Sequence, residues 1–260
     1  MLHILTAAGG NPTALWIQDV QHSRAQYAAI GDDLMTSGAA LLRLRGDPRR
    51  PEQAGVVLPG PRHLEMAGGE LCGNATLSAA ALLGAIHGED RFTMTTSDSG
   101  RRPVVVRLTR DGDGTWVDGE FTDLPLSRSR QHVDGQSVSV VDMGGIVHVL
   151  VEAPFPTDYR AAHRHVTAVL GLTARPAVGV SWFFRDGSDA VIEPVVRVTS
   201  GAGETIIHES ACGSGSIALA AVSGCADIVQ PTGQRITVHR EGAATTLRAR
   251  IRPILTARLS

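Results

Sequence analysis

Lysine is missing from this chain of 260 residues, and all 24 of its cationic side chains are arginine. Without a lysine amine the protein cannot form a Schiff base with pyridoxal phosphate, and a Walker-type phosphate loop would lack its usual cation. Excess positive charge is missing too: the formal net charge is −2, so no basic surface points to nucleic acid or anionic lipid. There is no long hydrophobic run. The apolar stretch 75–86 is short and rich in Ala and Gly, which argues against a membrane span. The opening "MLHILTAAGGNP" has neither a basic n-region nor a proper apolar h-region, which argues against a secretory signal peptide. Cysteine is scarce, and three in an ordinary-sized chain suit a reducing compartment better than a disulfide scaffold. These features point to a cytoplasmic protein.

Two of the three cysteines stand in matching surroundings. "ELCGNATLSAAALLGA" (70–85) and "SACGSGSIALAAVSGC" (210–225) each place Cys-Gly and a polar residue ahead of small apolar residues. Aligning Cys72 with Cys212 also pairs Gly73 with Gly213, Ala80 with Ala220, Ala81 with Ala221 and Gly84 with Gly224. Both segments read as helices that are apolar nearly all round and therefore buried. Two further helices are expected, over 23–38 with Ser23 as cap and over 157–172 capped by Thr157 and closed near Gly171. Alternating, β-branched runs at 102–110, 115–121, 136–152, 178–187, 189–198 and 235–241 read as strands, separated by turns such as "RDGDG" and "RDGSD". The series repeats, which implies an internal duplication into two α+β halves, 1–122 and 123–260. The polar, aperiodic stretch "TDLPLSRSRQHVDG" (122–135) reads as the linker. Related halves pack most naturally about a pseudo-twofold axis, with equivalent points facing one another.

Two facing cysteines have a specific chemical use. At a helix N-terminus the free N–H groups and partial positive charge favour a thiolate and can hold a carboxylate. One thiolate can then remove the α-proton of an amino acid from one face while the opposite thiol protonates the other face. The enolate-like charge developing on the carboxylate needs those N–H groups. No cofactor is required, in keeping with the missing lysine.

"GELCGNATLS" and "HESACGSGS" resemble the paired signatures of the cofactor-independent amino-acid racemases of the diaminopimelate epimerase fold. More closely, "HLEMAGGELCGNATLSAAALL", "AAGGNPTALWI" and "TIIHESACGSGSIALAAV" resemble the histidine racemases that supply opine-type metallophore synthesis. The resemblance implies two similar halves, each a curved sheet or barrel around a buried helix, with the site between them in a homodimer. It carries the catalytic pair onto Cys72 and Cys212. It also suggests that Asn11, Gly73, Asn74, Ala75, Gly213, Ser214 and Gly215 hold the α-amino and carboxylate groups, with Glu209 near the second cysteine and His148 at the pocket. Against the diaminopimelate epimerase pattern, Ala75 replaces a Gly after "CGN", and "GAGETIIHESACGSG" inserts residues before the second Cys. Both departures weaken diaminopimelate as substrate.

Simpler readings stand beside these. Cys225 has no partner motif and reads as a small buried hydrophobe. The histidines form no compact zinc pattern, "HRH" (163–165) reads as part of an exposed helix, and no metal is expected. Glu209 also reads as a helix-start carboxylate, Asn74 and Ser214 as groups satisfying free N–H donors, and His148 and His208 as core histidines. The resemblance to the histidine racemases sets Arg43 where they place an acidic residue at the substrate's side-chain end. There a guanidinium would favour an acidic or neutral amino acid over histidine, whereas the bland reading makes "AALLRLRGD" an exposed strand. The leading function is thus racemisation of histidine, with aspartate, glutamate, diaminopropionate or diaminopimelate as alternative substrates. A thiol-redox protein of the same fold is the rival, and the phenazine-biosynthesis isomerases, which generally lack the cysteine pair, fit less well.

Overall fold

The computed structural model describes residues 1–97, 103–112, 114–200 and 203–258. Arg102 of the expected strand, Asp113 of "RDGDG" and residues 201–202 of "GAGET" lie outside them. The first half runs β1 (Leu2–Ala7), β2 (Gly10–Ile17), α1 (Arg24–Leu44), β3 (Gln53–Leu58), β4 (His63–Met66), α2 (Gly73–His87), β5 (Arg91–Thr96), β6 (Pro103–Asp111) and β7 (Gly114–Thr122). The second half starts with β8 (Ser127–Val133), β9 (Gln136–Asp142), β10 (Val147–Glu152), α3 (Tyr159–Val169), β11 (Ala177–Asp186) and β12 (Asp189–Ser200). It continues with β13 (Gly203–His208), α4 (Gly213–Ser223), β14 (Asp227–Val229), β15 (Arg235–Glu241) and β16 (Ala244–Ala257).

The duplication is present in the strand pairing. In the first half β2 pairs parallel with β3 across α1, and β4 pairs parallel with β5 across α2. In the second half β10 pairs parallel with β11 across α3, and β12 pairs parallel with β14 across α4. Antiparallel neighbours match as well, β3–β4 with β11–β12 and β5–β6 with β14–β15. The cut at 122/123 does not sort every strand, however. β16 pairs with β15 and also with β7 and β1, so the last strand of the chain closes the ring around α2. The stretch expected as a linker contains β8, which pairs with β9. The expected strand 136–152 is two strands, broken at residues 143–146.

Helix α2 is buried from Gly73 through Ala80 and α4 from Gly213 through Ala221, as their apolar composition requires. One core cluster spans both halves, joining Leu77 and Leu83 of α2 to Ile217 and Leu219 of α4. Gly84 and Gly224, paired in the sequence alignment, have different roles. Gly224 is the left-handed cap of α4, whereas α2 runs past Gly84 to its own left-handed cap at Gly88.

Helix α1 starts at the expected Ser23, which forms a capping box with Gln26. It does not stop at Gly38 but reaches Leu44, because Leu34, Gly38 and Leu42 recur at one-turn spacing on its buried face. A β-carbon on Gly38 would lie 2.7 Å from Pro51 Cγ, so glycine there serves close packing, not termination. Helix α3 is capped by Asp158 rather than Thr157, its carboxylate accepting from Ala161 N at 2.9 Å. His163 of that helix is fully buried and bonds Val178 O at 3.1 Å, so "HRH" is not wholly exposed. Among the described residues no helix is long and apolar enough to cross a membrane.

Candidate active site

The two matching cysteines are matching helix caps. Cys72 has extended backbone at the N-cap of α2, and its Sγ accepts from Ala75 N at 3.3 Å. Cys212 caps α4 in the same way, its Sγ accepting from Gly215 N at 3.3 Å. Thr76 Oγ1 donates to Cys72 O at 2.7 Å, and Ser216 Oγ repeats the contact to Cys212 O at 2.6 Å. Helix geometry leaves the N–H groups of Gly73, Asn74, Gly213 and Ser214 without intrahelical partners. The two helix starts meet: a β-carbon on Gly213 would stand 3.0 Å from Asn74 N.

Both thiols line one cavity of about 90 Å³ between the halves. A chain of polar groups crosses its wall. The Cys72 thiol donates to Gln53 Oε1, and Gln53 Nε2 donates to Glu209 Oε1 at 3.0 Å. The Glu209 carboxylate in turn lies against Cys212. Behind it, Glu52 accepts from Ser210 Oγ at 2.5 Å and from Asn11 Nδ2 at 3.2 Å, tying β3 and the first half to the lead-in of α4.

Burial sets the protonation of this wall. Glu209 is pushed up to about 8, first by desolvation and then by the neighbouring Glu52 charge. Glu52 and Glu70 are also raised, in each case mainly by burial. Both thiols are held well above the usual range, first by burial and then by Glu209. The sequence expectation was the opposite, a thiolate favoured by the helix start. The N–H contacts from Ala75 and Gly215 do act in that direction, but desolvation outweighs them. At neutral pH both cysteines are therefore thiols.

The structure brings Cys72, Cys212, Glu209, Gly213 and Ser214 to the cavity wall. Asn11 and Asn74 stand behind it, both donating to Ala211 O, at 2.9 and 2.8 Å, and thereby fixing the segment that delivers Cys212. Gly73, Ala75 and Gly215 form the first turns of the two helices. His148 is fully buried, and its Nε2 meets Ser214 Oγ at 2.9 Å. Burial drives its pKa down to about 3, so a neutral imidazole orients Ser214. Arg43 is a correction. It sits exposed in the last turn of α1, outside the cavity, because "AALLRLRGD" continues the helix whose buried face carries Leu42. The α1 residues that do reach the cavity are Gly31, Asp32 and Met35. Glu52, Gln53 and Glu70 were missed. Glu52 and Gln53 are marked only as two polar residues ahead of the apolar "AGVVL", and Glu70 only as a charge next to a cysteine motif. Among the described residues no group of three His, Cys, Asp or Glu side chains is placed to hold a metal ion.

The architecture matches solved structures over nearly its whole length. A predicted epimerase from Pseudomonas aeruginosa aligns with a TM-score of 0.64 at 17% identity, covering 99% of this chain and 98% of that one. A phenazine-biosynthesis PhzF-family protein from Enterococcus faecalis aligns with a TM-score of 0.56 at 14% identity, covering 98% and 96%. At these identities the likeness establishes the fold, an α+β architecture of two similar halves. No curated protein matches the sequence. The family profile described as the histidine racemase CntK N-terminal domain matches residues 10–249, from the strand that carries Asn11 through both cysteine motifs, and the chain belongs to that family of isomerases.

Proposed function

We propose that the protein inverts the α-carbon of a free amino acid with a cationic side chain, histidine foremost, using Cys72 and Cys212 as its two acid/base groups. The observation that carries this reading is that the two N-cap cysteines, one from each half, line one cavity between two helix starts. In each turnover one cysteine is thiolate and the other thiol. The thiolate takes the α-proton, the C–H electron pair spreads into the carboxylate, and the opposite S–H delivers its proton to the other face. The two cysteines end with their states exchanged. N–H groups at the two helix starts are placed to stabilise the charge on the carboxylate.

The raised thiol pKa values are compatible with this cycle. Entry of an α-ammonium and a cationic side chain brings positive charge beside both sulfurs and favours ionisation. Glu209 lies against Cys212, and with a pKa of about 8 its ionised fraction can accept the Cys212 proton. No step calls on pyridoxal phosphate or a metal. The lining favours a cationic substrate over an acidic one. Asp32, Glu52, Glu70 and Glu209 contribute to it, and no Arg or His is among its described residues. Aspartate or glutamate would place a second carboxylate among these groups without a partner cation. Diaminopropionate and diaminopimelate carry a second ammonium and are the nearest alternatives. We further propose, from the family resemblance, that the working unit is a homodimer.

The test is α-hydrogen exchange in deuterated water over the proteinogenic amino acids, with diaminopropionate and diaminopimelate added. Exchange and racemisation of histidine are expected. Exchange confined to aspartate or glutamate would overturn the substrate reading, and no exchange with any of them would overturn the enzyme reading.

A further inference from the structure

Two carboxylates of the cavity wall each have a buried oxygen without a hydrogen-bond partner, Glu209 Oε2 and Glu70 Oε2, and only the second belongs to a group with no part in the proton transfers above. Glu70 lines the cavity two residues before Cys72, and its Oε2 is buried without a hydrogen-bond partner. The other lining carboxylates are already committed or differently placed. Glu52 holds Ser210 and Asn11. Glu209 holds Gln53 through Oε1, and although its Oε2 has no partner either, the carboxylate lies against Cys212, on the side of the proton transfer. Asp32 is exposed, where a charge pair is screened by water. The nearby cation, Arg24, is engaged by Glu65 Oε1 and by the carbonyls of Met66 and Ala67. A buried acceptor left without a partner is costly, and a donor brought by a ligand relieves that cost.

The position of Glu70 is fixed by its surroundings. Leu71 is 2% exposed, and Cys72 begins a helix that is buried from Gly73 through Ala80. Gly145 packs against this lead-in: a β-carbon there would lie 2.9 Å from Leu71 N. A carboxylate anchored so close to one sulfur can reach the side chain of an amino acid whose α-carbon lies between the two thiols.

We propose that Glu70 selects for a cationic side chain, with Oε2 accepting a charge-assisted hydrogen bond from the substrate's imidazolium or ammonium group. This inference rests on the racemase reading above and adds the residue that sets side-chain preference. Glu70 is a specificity residue and takes no proton from the α-carbon.

The experiment compares histidine with β-(2-thienyl)alanine, a neutral side chain of similar shape, in the wild type, Glu70→Gln and Glu70→Asp. Glu70→Gln is expected to raise KM for histidine about tenfold or more, with kcat changed less and thienylalanine turnover not reduced. Glu70→Asp, which keeps the charge, should recover part of the loss. Unchanged histidine KM in a folded Glu70→Gln protein overturns the Glu70 assignment and leaves the racemase reading standing. Wild type that turns over acidic amino acids and not histidine overturns the Glu70 assignment and the cationic-substrate reading together, and no turnover of any amino acid overturns the racemase reading. A measurement on the wild type needs no variant: histidine should bind about tenfold or more tightly than thienylalanine, and equal affinities overturn the assignment.

Discussion

Gly73 and Gly213 close the gap between the two halves: a β-carbon on Gly73 would stand 3.1 Å from both Cα and the carbonyl carbon of Gly213. The same β-carbon would lie 2.8 Å from Leu247 Cδ2 on β16, the strand shared by both halves. No rotamer change relieves a clash with backbone. Gly73→Ala should therefore destabilise the fold by about 1–3 kcal/mol, the usual cost of overpacking a filled core. It should also reduce racemisation in the fraction that stays folded, because the helix starts must separate. Urea unfolding and turnover measured on the same preparation check both effects. Wild-type stability would mean that the helix starts are not in contact.

In the proposed two-base mechanism each thiol serves one face of the substrate, so Cys72→Ser and Cys212→Ser should each lower racemisation by about a hundredfold or more. A serine hydroxyl is too weak an acid to replace either sulfur. Cys225→Ser is the control: Cys225 is buried, but it does not line the cavity. Chiral chromatography of the products measures the loss. Full activity in either of the first two variants would remove that cysteine from the mechanism.

Burial of the carboxylates makes stability depend on pH in a defined direction. Glu209 ionises near 4.5 in an unfolded chain and at about 8 in the folded one. From pH 4.5 to 8 the folded state thus binds more protons at this site, and its contribution to stability falls as pH rises. The slope is at most about 1.4 kcal/mol per pH unit for one group. Glu52 and Glu70, also raised, add in the same sense. Glu209→Gln should be closest to wild type in stability near pH 4.5 and should gain relative to it by pH 8. A stability difference that stays constant over this window would show that Glu209 is ionised in the folded protein throughout.

The sequence carried the repeat, the buried helices, the strands β6, β7, β9–β12 and β15 and the cysteine pair, because composition and local periodicity encode those features; β1–β5, β8, β13, β14 and β16 were not read. What it hid depends on contacts distant along the chain. β16 alternates buried and partly exposed residues, but nothing local says that it pairs with β1, which begins more than 240 residues earlier. Gln53 and Glu209 are 156 residues apart, and their hydrogen bond exists only after the halves meet. Arg43 was placed at the pocket by alignment with the histidine racemases, and helix α1, expected to end at Gly38, instead runs on past it, with Gly38 packed against Pro51, and leaves Arg43 exposed. The thiol pKa direction was misjudged for a related reason. A helix start is visible in sequence, whereas the depth of burial and the charge on Glu209 are not.

That last point yields a measurement on the unmodified protein. The thiolate is the species that alkylating reagents attack, so a thiol held in its neutral form reacts slowly. Cys72 and Cys212 are both raised well above the usual range, and both are nearly sealed from solvent. Iodoacetamide at pH 7 should accordingly modify either one more slowly than it modifies free cysteine, as followed by peptide mass spectrometry. The low-pKa alternative, in which the helix N–H groups dominate, predicts the reverse for any sulfur the reagent can reach. Access alone would also slow the reaction, so the pH dependence decides between the two. With neutral thiols the rate should still be rising steeply above pH 9, about tenfold per unit, because each unit multiplies the thiolate fraction by ten below the pKa. A rate that levels off below pH 8 would mean that one cysteine already rests as a thiolate, and that desolvation does not control the site.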